Sequence, residues 1–154
     1  PRALPAGPTD LQERLPMAAA TLRSALGPAV VVVSVIEIHR VDSMAFLFLA
    51  AVVSVCDAGD YLIGAGYDQR LAGPLAGLVA GIALTAAMSV IDPPPLEGNQ
   101  VWTFGLLLTV LALAGPFVGT WMLPTARAAA PALRRIDSWL LAAPVFLVGL
   151  WIVT

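Results

Sequence analysis

The chain has 154 residues, of which 59% are hydrophobic and only 12% charged, with a net charge of −2. A soluble domain usually carries about 25% charged residues, so water alone could not solvate this surface and we expect an integral membrane protein. The acidic balance argues against nucleic-acid binding, which requires a basic face. The single cysteine, Cys56, excludes an intrachain disulfide and a cysteine-rich metal site.

The first 26 residues differ from the rest of the chain. A Pro- and Gly-rich stretch is followed by Thr9 and Gln12, which have the spacing of a helix capping box. Leu11, Leu15 and later apolar residues then recur at helical spacing. The pattern predicts, over residues 1–26, a lead-in and an amphipathic helix lying on the membrane surface. An ordinary helix in a soluble tail fits the pattern equally well.

Residues 27–154 form the predicted transmembrane domain, because hydrophobic segments follow one another with short polar breaks. A spanning helix needs about 20 apolar residues, and residues 71–91 and 101–123 meet that length. The predicted fold is therefore all-α, a polytopic bundle of about five membrane helices preceded by the amphipathic helix. The five segments are residues 27–38, 44–64, 71–91, 101–123 and 138–154.

The arginines predict an orientation for this bundle. Cytoplasmic loops are enriched in Arg and Lys, and a cytoplasmic N-terminus places seven of the eight arginines inside, with only Arg40 outside. The loop 92–100 has no basic residue, as expected of an outside loop. We expect a bacterial inner (cell) membrane, with the polar site on its cytoplasmic face.

Glycines recur every four residues in two of the predicted helices. One set is Gly73, Gly77 and Gly81, and the other is Gly115 and Gly119. Such spacing lets helix backbones approach closely. The pattern predicts tight packing of the bundle, and the same faces could also join two copies in a homodimer.

Two polar clusters are candidates for chemistry. Asp57, Asp60 and Tyr61 share one helical face, and paired carboxylates are natural ligands for a hard cation such as Mg²⁺. A carboxylate at membrane depth points to function, although both aspartates could instead belong to a solvated loop.

The second cluster is Arg134, Arg135, Asp137 and Ser138. Two arginines can hold phosphate oxygens, and Asp137 could add a metal ligand. In the alternative interpretation, the arginines only anchor the topology and Ser138 caps the following helix.

Three segments resemble phosphatidate cytidylyltransferases, also called CDP-diacylglycerol synthases, over about residues 28–154. Residues 56–64 (CDAGDYLIG) resemble the family's SDTxAYxxG segment, and residues 71–77 (LAGPLAG) resemble its TWEGxxG stretch. Residues 134–146 (RRIDSWLLAAPVF) resemble its DRIDS segment and the Pro-Val helix that follows. The order of the three segments also agrees with the family.

The resemblance implies synthesis of CDP-diacylglycerol from phosphatidic acid and CTP, with Mg²⁺ in a polar cavity open to the cytoplasm. The membrane lipid and CTP would be the partners. Carried over by position, the catalytic groups would be Asp57 and Asp137, which with Asp60 would hold the metal. The substrate-binding residues would be Arg70, Arg134, Arg135, Ser138 and Tyr61.

The chain also departs from the family pattern. Pro116 stands where the family has an acidic metal ligand, Ala72 where it has a glutamate, and Arg134 where it has an aspartate. Losing an acidic ligand weakens cation binding and therefore nucleotide binding. A second hypothesis is thus a catalytically degenerate relative that binds lipid or a membrane partner. CDP-alcohol phosphatidyltransferases fit less well, because the spaced aspartates of their motif are missing, and transporters usually place polar residues at the midplane.

Overall fold

A computed structural model describes residues 11–64, 71–122 and 133–154, with five helices and no strand in these ranges. The predicted all-α fold, compatible with a membrane helix bundle, is confirmed. Thr9, Arg70 and the loop 123–132 lie outside the described residues, as do the side chains of Arg134 and Arg135. The helices are α1 (Leu11–Val41), α2 (Ser43–Gly64), α3 (Ala72–Met88), α4 (Asn99–Met122) and α5 (Leu133–Val153).

Helix α1 is a single helix of 31 residues. The sequence suggested a surface helix before residue 26 and a separate apolar segment at 27–38, but the helix runs through this boundary without a break. Ala- and Leu-rich stretches have high helix propensity, which favours one long element. Packing against the bundle begins at its second half, where Gly27, Val31 and Ile38 are buried.

Asp42 separates α1 from α2 and caps the start of α2. Its Oδ1 accepts hydrogen bonds from the backbone N–H groups of Met44 at 2.6 Å and Ala45 at 3.2 Å. These bonds satisfy two of the donors that a helix start leaves without an intrahelical partner. Helix α2 then runs to Gly64, close to the predicted bounds of 44–64.

Three helices are long and apolar enough to cross a membrane, judged by length and composition, among the described residues: Ser43–Gly64, Asn99–Thr120 and Ile136–Val153. Helix α3, predicted to reach residue 91, has only 17 residues and ends at Met88. The chain turns after it, and Asp92 adopts a left-handed conformation with φ 47°. At 1.5 Å per residue α3 is about 25 Å long, shorter than the roughly 30 Å hydrocarbon core.

Aromatic rings fill the centre of the bundle and join three helices. Phe146 of α5 lies with its ring centroid 5.5 Å from that of Phe104 and 6.2 Å from that of Phe48. A Cβ on Gly149 would collide with the ring of Phe104, so this glycine lets α5 approach α4. All three rings are buried, and they set the spacing of α2, α4 and α5.

The glycine face of α3 packs inside the chain. A Cβ on Gly77 would lie 2.7 Å from the carbonyl oxygen of Cys56, and one on Gly81 would lie 2.5 Å from Oγ1 of Thr109. The predicted close packing is therefore present, between α3 and both α2 and α4. A homodimer through glycine faces stays a prediction, and Gly73, Gly77 and Gly81 themselves are buried by their own chain.

Candidate functional site

The two polar clusters of the sequence meet through one hydrogen bond. The hydroxyl Oγ of Ser138, on α5, donates to Oδ1 of Asp57, on α2, at 2.6 Å. Asp57 lies seven residues before the end of α2, which corresponds to about 10 Å along the helix. Ser138 is only 4% exposed. Segments 81 residues apart in sequence are thus joined directly at one end of the bundle.

Helix α5 begins at Leu133, earlier than the predicted segment 138–154. Ser138 therefore lies in the second turn of α5, and the interpretation in which it caps the helix is wrong. Asp137 shares this turn, and its Oδ1 accepts the backbone N–H of Ser138 at 2.9 Å. The earlier start turns the serine toward α2 instead of leaving it at the helix end.

Close packing of α4 against α5 positions Asp137. A Cβ on Gly115 would collide with the carbonyl oxygen of Asp137, and one on Gly119 would lie 3.0 Å from the Asp137 Cβ. Pro116 lies inside α4 between these two glycines.

Asp60 lies one turn after Asp57 and faces α3. Its Oδ1 occupies the space that a Cβ on Gly73 would need. The carboxylates of Asp60 and Asp137 are both close enough to Asp57 to interact with it electrostatically. Tyr61, by contrast, is 74% exposed. The site thus brings together Asp57, Asp60, Asp137 and Ser138.

The number of carboxylates near Asp57 determines what kind of magnesium site the chain can form. Among the residues that the structure describes, no group of three or more His, Cys, Asp or Glu side chains is placed to hold a metal ion. Mg²⁺, however, is commonly bound by one or two carboxylates, with water and substrate phosphates completing its octahedron. Asp57 and Asp137 both accept hydrogen bonds from Ser138 and match that number of carboxylates, whereas the described residues form no cage of three protein carboxylates.

For two of the predicted arginines, Arg134 and Arg135, the structure describes the backbone but not the side chain. Arg134 and Arg135 lie in the first turn of α5, at the same end of the bundle as the carboxylates. The phosphate-binding role of their side chains, and that of Arg70, stays a prediction that lies outside the described residues.

An apolar groove runs between α2 and α3 beside the carboxylates, and sequence reasoning missed it. Its cavity volume is about 550 Å³, within the range of roughly 300–1,000 Å³ that is typical of ligand sites. Gly59, next to Asp60, lines one wall, and small residues of α3 line the other. The repeated small residues of α3 are the feature of the sequence that could have predicted this groove. The lining residues are Gly59, Leu62, Ile63, Leu75, Ala76, Val79, Ala80 and Ala83.

Comparisons of the chain with protein-family models, with curated proteins and with solved structures find no match. The relation to phosphatidate cytidylyltransferases therefore remains a resemblance in three short segments.

Proposed function

We propose that the chain is a divergent membrane-embedded cytidylyltransferase-like protein that transfers CMP from CTP to phosphatidic acid or a related lipid phosphate. The observation that carries the proposal is the 2.6 Å hydrogen bond from Ser138 to Asp57. It joins the two segments whose motifs resemble the family's metal- and phosphate-binding segments. Apolar helices on either side and the groove beside Asp60 suit a lipid substrate.

In the proposed reaction, a phosphate oxygen of the lipid attacks the α-phosphorus of CTP. A new P–O–P bond forms, the bond between the α-phosphorus and the oxygen bridging to the β-phosphorus breaks, and pyrophosphate leaves. Asp57 and Asp137 would hold Mg²⁺, which would neutralise phosphate charge. Ser138 would fix the carboxylate of Asp57 by its hydrogen bond, and the arginines of the first turn of α5 would attract the two polyanionic substrates.

A second candidate is a non-catalytic relative that binds anionic lipid or a membrane partner. Pro116 favours it, because the resemblance places an acidic metal ligand at that position and a proline supplies no ligand. Within the described ranges, the absence of a three-carboxylate group points the same way. In both candidates the site would face the cytoplasm of a bacterial cell membrane, as the distribution of arginines favours.

The test is an assay of the purified chain, reconstituted in lipid, with labelled CTP, phosphatidic acid and Mg²⁺. We expect labelled CDP-lipid, and at least a 100-fold loss of rate in Asp57→Asn. Asp42→Asn is the matched control, because it removes one carboxylate at the α1–α2 junction while preserving the cap, and it should retain full activity. No CDP-lipid, with an active cytidylyltransferase run alongside, would refute the enzymatic proposal. Retained activity in Asp57→Asn would refute the role of Asp57.

A further inference from the structure

The turn that follows α3, residues 89–92, carries two large apolar side chains on its surface. Val90 is 85% exposed and Ile91 is 69% exposed. Placing such a pair in water is unfavourable, because apolar surface is more stable away from water. Both residues continue the apolar run of α3, although the helix itself ends at Met88. The apolar surface of this segment therefore extends beyond the end of the helix.

The backbone of this turn is suited to an environment with little water. Each N–H group from Ser89 to Asp92 donates a hydrogen bond to a carbonyl oxygen in the last turn of α3, at 2.9 to 3.3 Å. The Ser89 hydroxyl donates to the carbonyl oxygen of Ala86 at 2.8 Å. A backbone donor without a partner is costly in lipid. The turn thus needs no water to satisfy these donors.

Contacts between α3 and α4 fix the height of the turn in the bundle. A Cβ on Gly81 would lie 2.5 Å from Oγ1 of Thr109, and a Cβ on Gly105 would collide with the side chain of Thr85. Between these two contacts α3 advances by four residues while α4 goes back by four. The two helices are therefore antiparallel and in step, so heights on α3 can be read from α4.

Trp102 marks the level of the membrane boundary. Three residues beyond the contact of Thr85 with Gly105, about 4.5 Å along each helix, α3 reaches Met88 and α4 reaches Trp102. Tryptophan is enriched where the hydrocarbon meets the headgroups, and Trp102 is 37% exposed. The turn that starts after Met88 therefore begins at this boundary, at the end of α3 far from the carboxylates.

A bilayer can accommodate the 17 residues of α3 in two ways. It can become thinner around the short helix, which would leave Val90 and Ile91 in water. Alternatively, the turn can complete the crossing, which would cover both side chains with hydrocarbon. The exposed apolar side chains and the satisfied N–H groups favour the second arrangement.

We propose that residues 89–91 form a lipid-binding surface, in which the side chains of Val90 and Ile91 insert between acyl chains at the membrane boundary. The partner is the hydrocarbon of the bilayer and not a particular headgroup, since residues 89–91 carry no charge. Asp92, whose Oδ1 accepts the N–H of Gly98 at 3.2 Å, begins the part of the loop that lies in water. The proposal is independent of the proposed function, because no residue of the carboxylate site takes part.

Fluorescence quenching in vesicles tests the position of the turn. In a Cys56→Ala background, a polarity-sensitive dye on Ile91→Cys is compared with the same dye on Glu97→Cys, an exposed position in the following loop. The full chain is reconstituted in phosphatidylcholine, with brominated acyl chains as one quencher and iodide on both sides of the membrane as the other. We expect brominated lipid to quench the dye on Ile91→Cys about threefold more than on Glu97→Cys, and iodide to show the reverse preference.

The other outcomes would overturn the proposal. Equal quenching by iodide at the two positions would place the turn in water, with a thinner bilayer around α3. A dye on Ile91→Cys that neither quencher reaches would show that protein, such as a second copy of the chain, covers the turn. Val90→Cys repeats the measurement at the second side chain, and a preference for iodide there would contradict the insertion of both side chains.

A second measurement does not depend on the dye. The unlabelled thiols of Ile91→Cys and Glu97→Cys are treated in the same vesicles with a water-soluble maleimide present on both sides. Only the thiolate reacts, and it forms poorly in hydrocarbon, so Ile91→Cys should react about fivefold more slowly. In denaturing detergent the two rates should become equal. Equal rates in the vesicles would overturn the proposal.

Discussion

Ser138 and Asp57 form the contact on which the candidate site depends, a side-chain hydrogen bond of 2.6 Å between α5 and α2. Its strength can be measured as a coupling free energy. Pairs of this kind in membrane proteins average about 0.6 kcal/mol and reach about 1.7 kcal/mol. We expect the double-mutant cycle of Ser138→Ala with Asp57→Asn, measured by unfolding in mixed micelles, to give a value toward the upper end.

A control for this cycle is Ser54→Ala, which removes an exposed hydroxyl from α2. Combined with Asp57→Asn it should be additive within about 0.5 kcal/mol. Additive behaviour of Ser138→Ala as well would mean that the hydrogen bond contributes nothing to stability.

Gly115 sets the distance between α4 and α5. A Cβ there would collide with the backbone of Asp137, which cannot move without moving α5. We expect Gly115→Ala to lower the free energy of unfolding by about 1–3 kcal/mol, the usual cost of overpacking. Gly119→Ala, whose Cβ would lie 3.0 Å from the Asp137 Cβ, should cost less. Equal stability of Gly115→Ala and the parent protein would show that α4 and α5 are farther apart.

Thr109 limits the space at Gly81. A Cβ on Gly81 would lie 2.5 Å from Oγ1 and 2.6 Å from Cγ2 of Thr109. Gly81→Ala should therefore destabilise the bundle by about 1–3 kcal/mol. Adding Thr109→Ala removes two of the three obstructing atoms, leaving Sγ of Cys56 at 2.8 Å, and should restore at least half of that loss, measured by unfolding in mixed micelles. If the losses in free energy of unfolding from Gly81→Ala and Thr109→Ala simply add, then Gly81 and Thr109 are not in contact.

The N-terminal cap of α2, formed by Asp42, can be tested separately from the carboxylate site. Loss of the two hydrogen bonds to Met44 and Ala45 in Asp42→Ala should cost about 1 kcal/mol of stability. Asp42→Asn should stay within a few tenths of a kcal/mol, because Asn caps helices as well as Asp does. Thermal or detergent unfolding of the three proteins would distinguish these outcomes, and equal losses in both variants would point to charge and not to capping.

The orientation of the bundle can be tested with exposed positions at its two ends. In a Cys56→Ala background, Glu97→Cys should react with a membrane-impermeant thiol reagent in intact cells, because loop 92–100 is expected to lie outside. Leu71→Cys, which is 70% exposed at the end that carries the carboxylates, should react only after the cells are permeabilised. The reverse pattern would place the site on the outer face.

The local features of the fold were predictable from the sequence. Apolar runs of helical length gave α2 and α4 to within a few residues, and the glycine spacing of α3 predicted close packing. These features depend on the composition of a single segment. The bounds of α3 were wrong because no local signal stops an apolar run at Met88, where the chain turns toward Asp92.

The sequence by itself determined that this chain is a helical membrane protein with two sparse polar clusters, because hydrophobicity and its period are properties of neighbouring residues. Only the tertiary structure decided that Ser138 meets Asp57, that Gly115 packs against Asp137 next to this contact, and that Tyr61 is largely exposed. Such pairings depend on how helices distant in sequence pack, and side chains on one helical face cannot specify their partner alone.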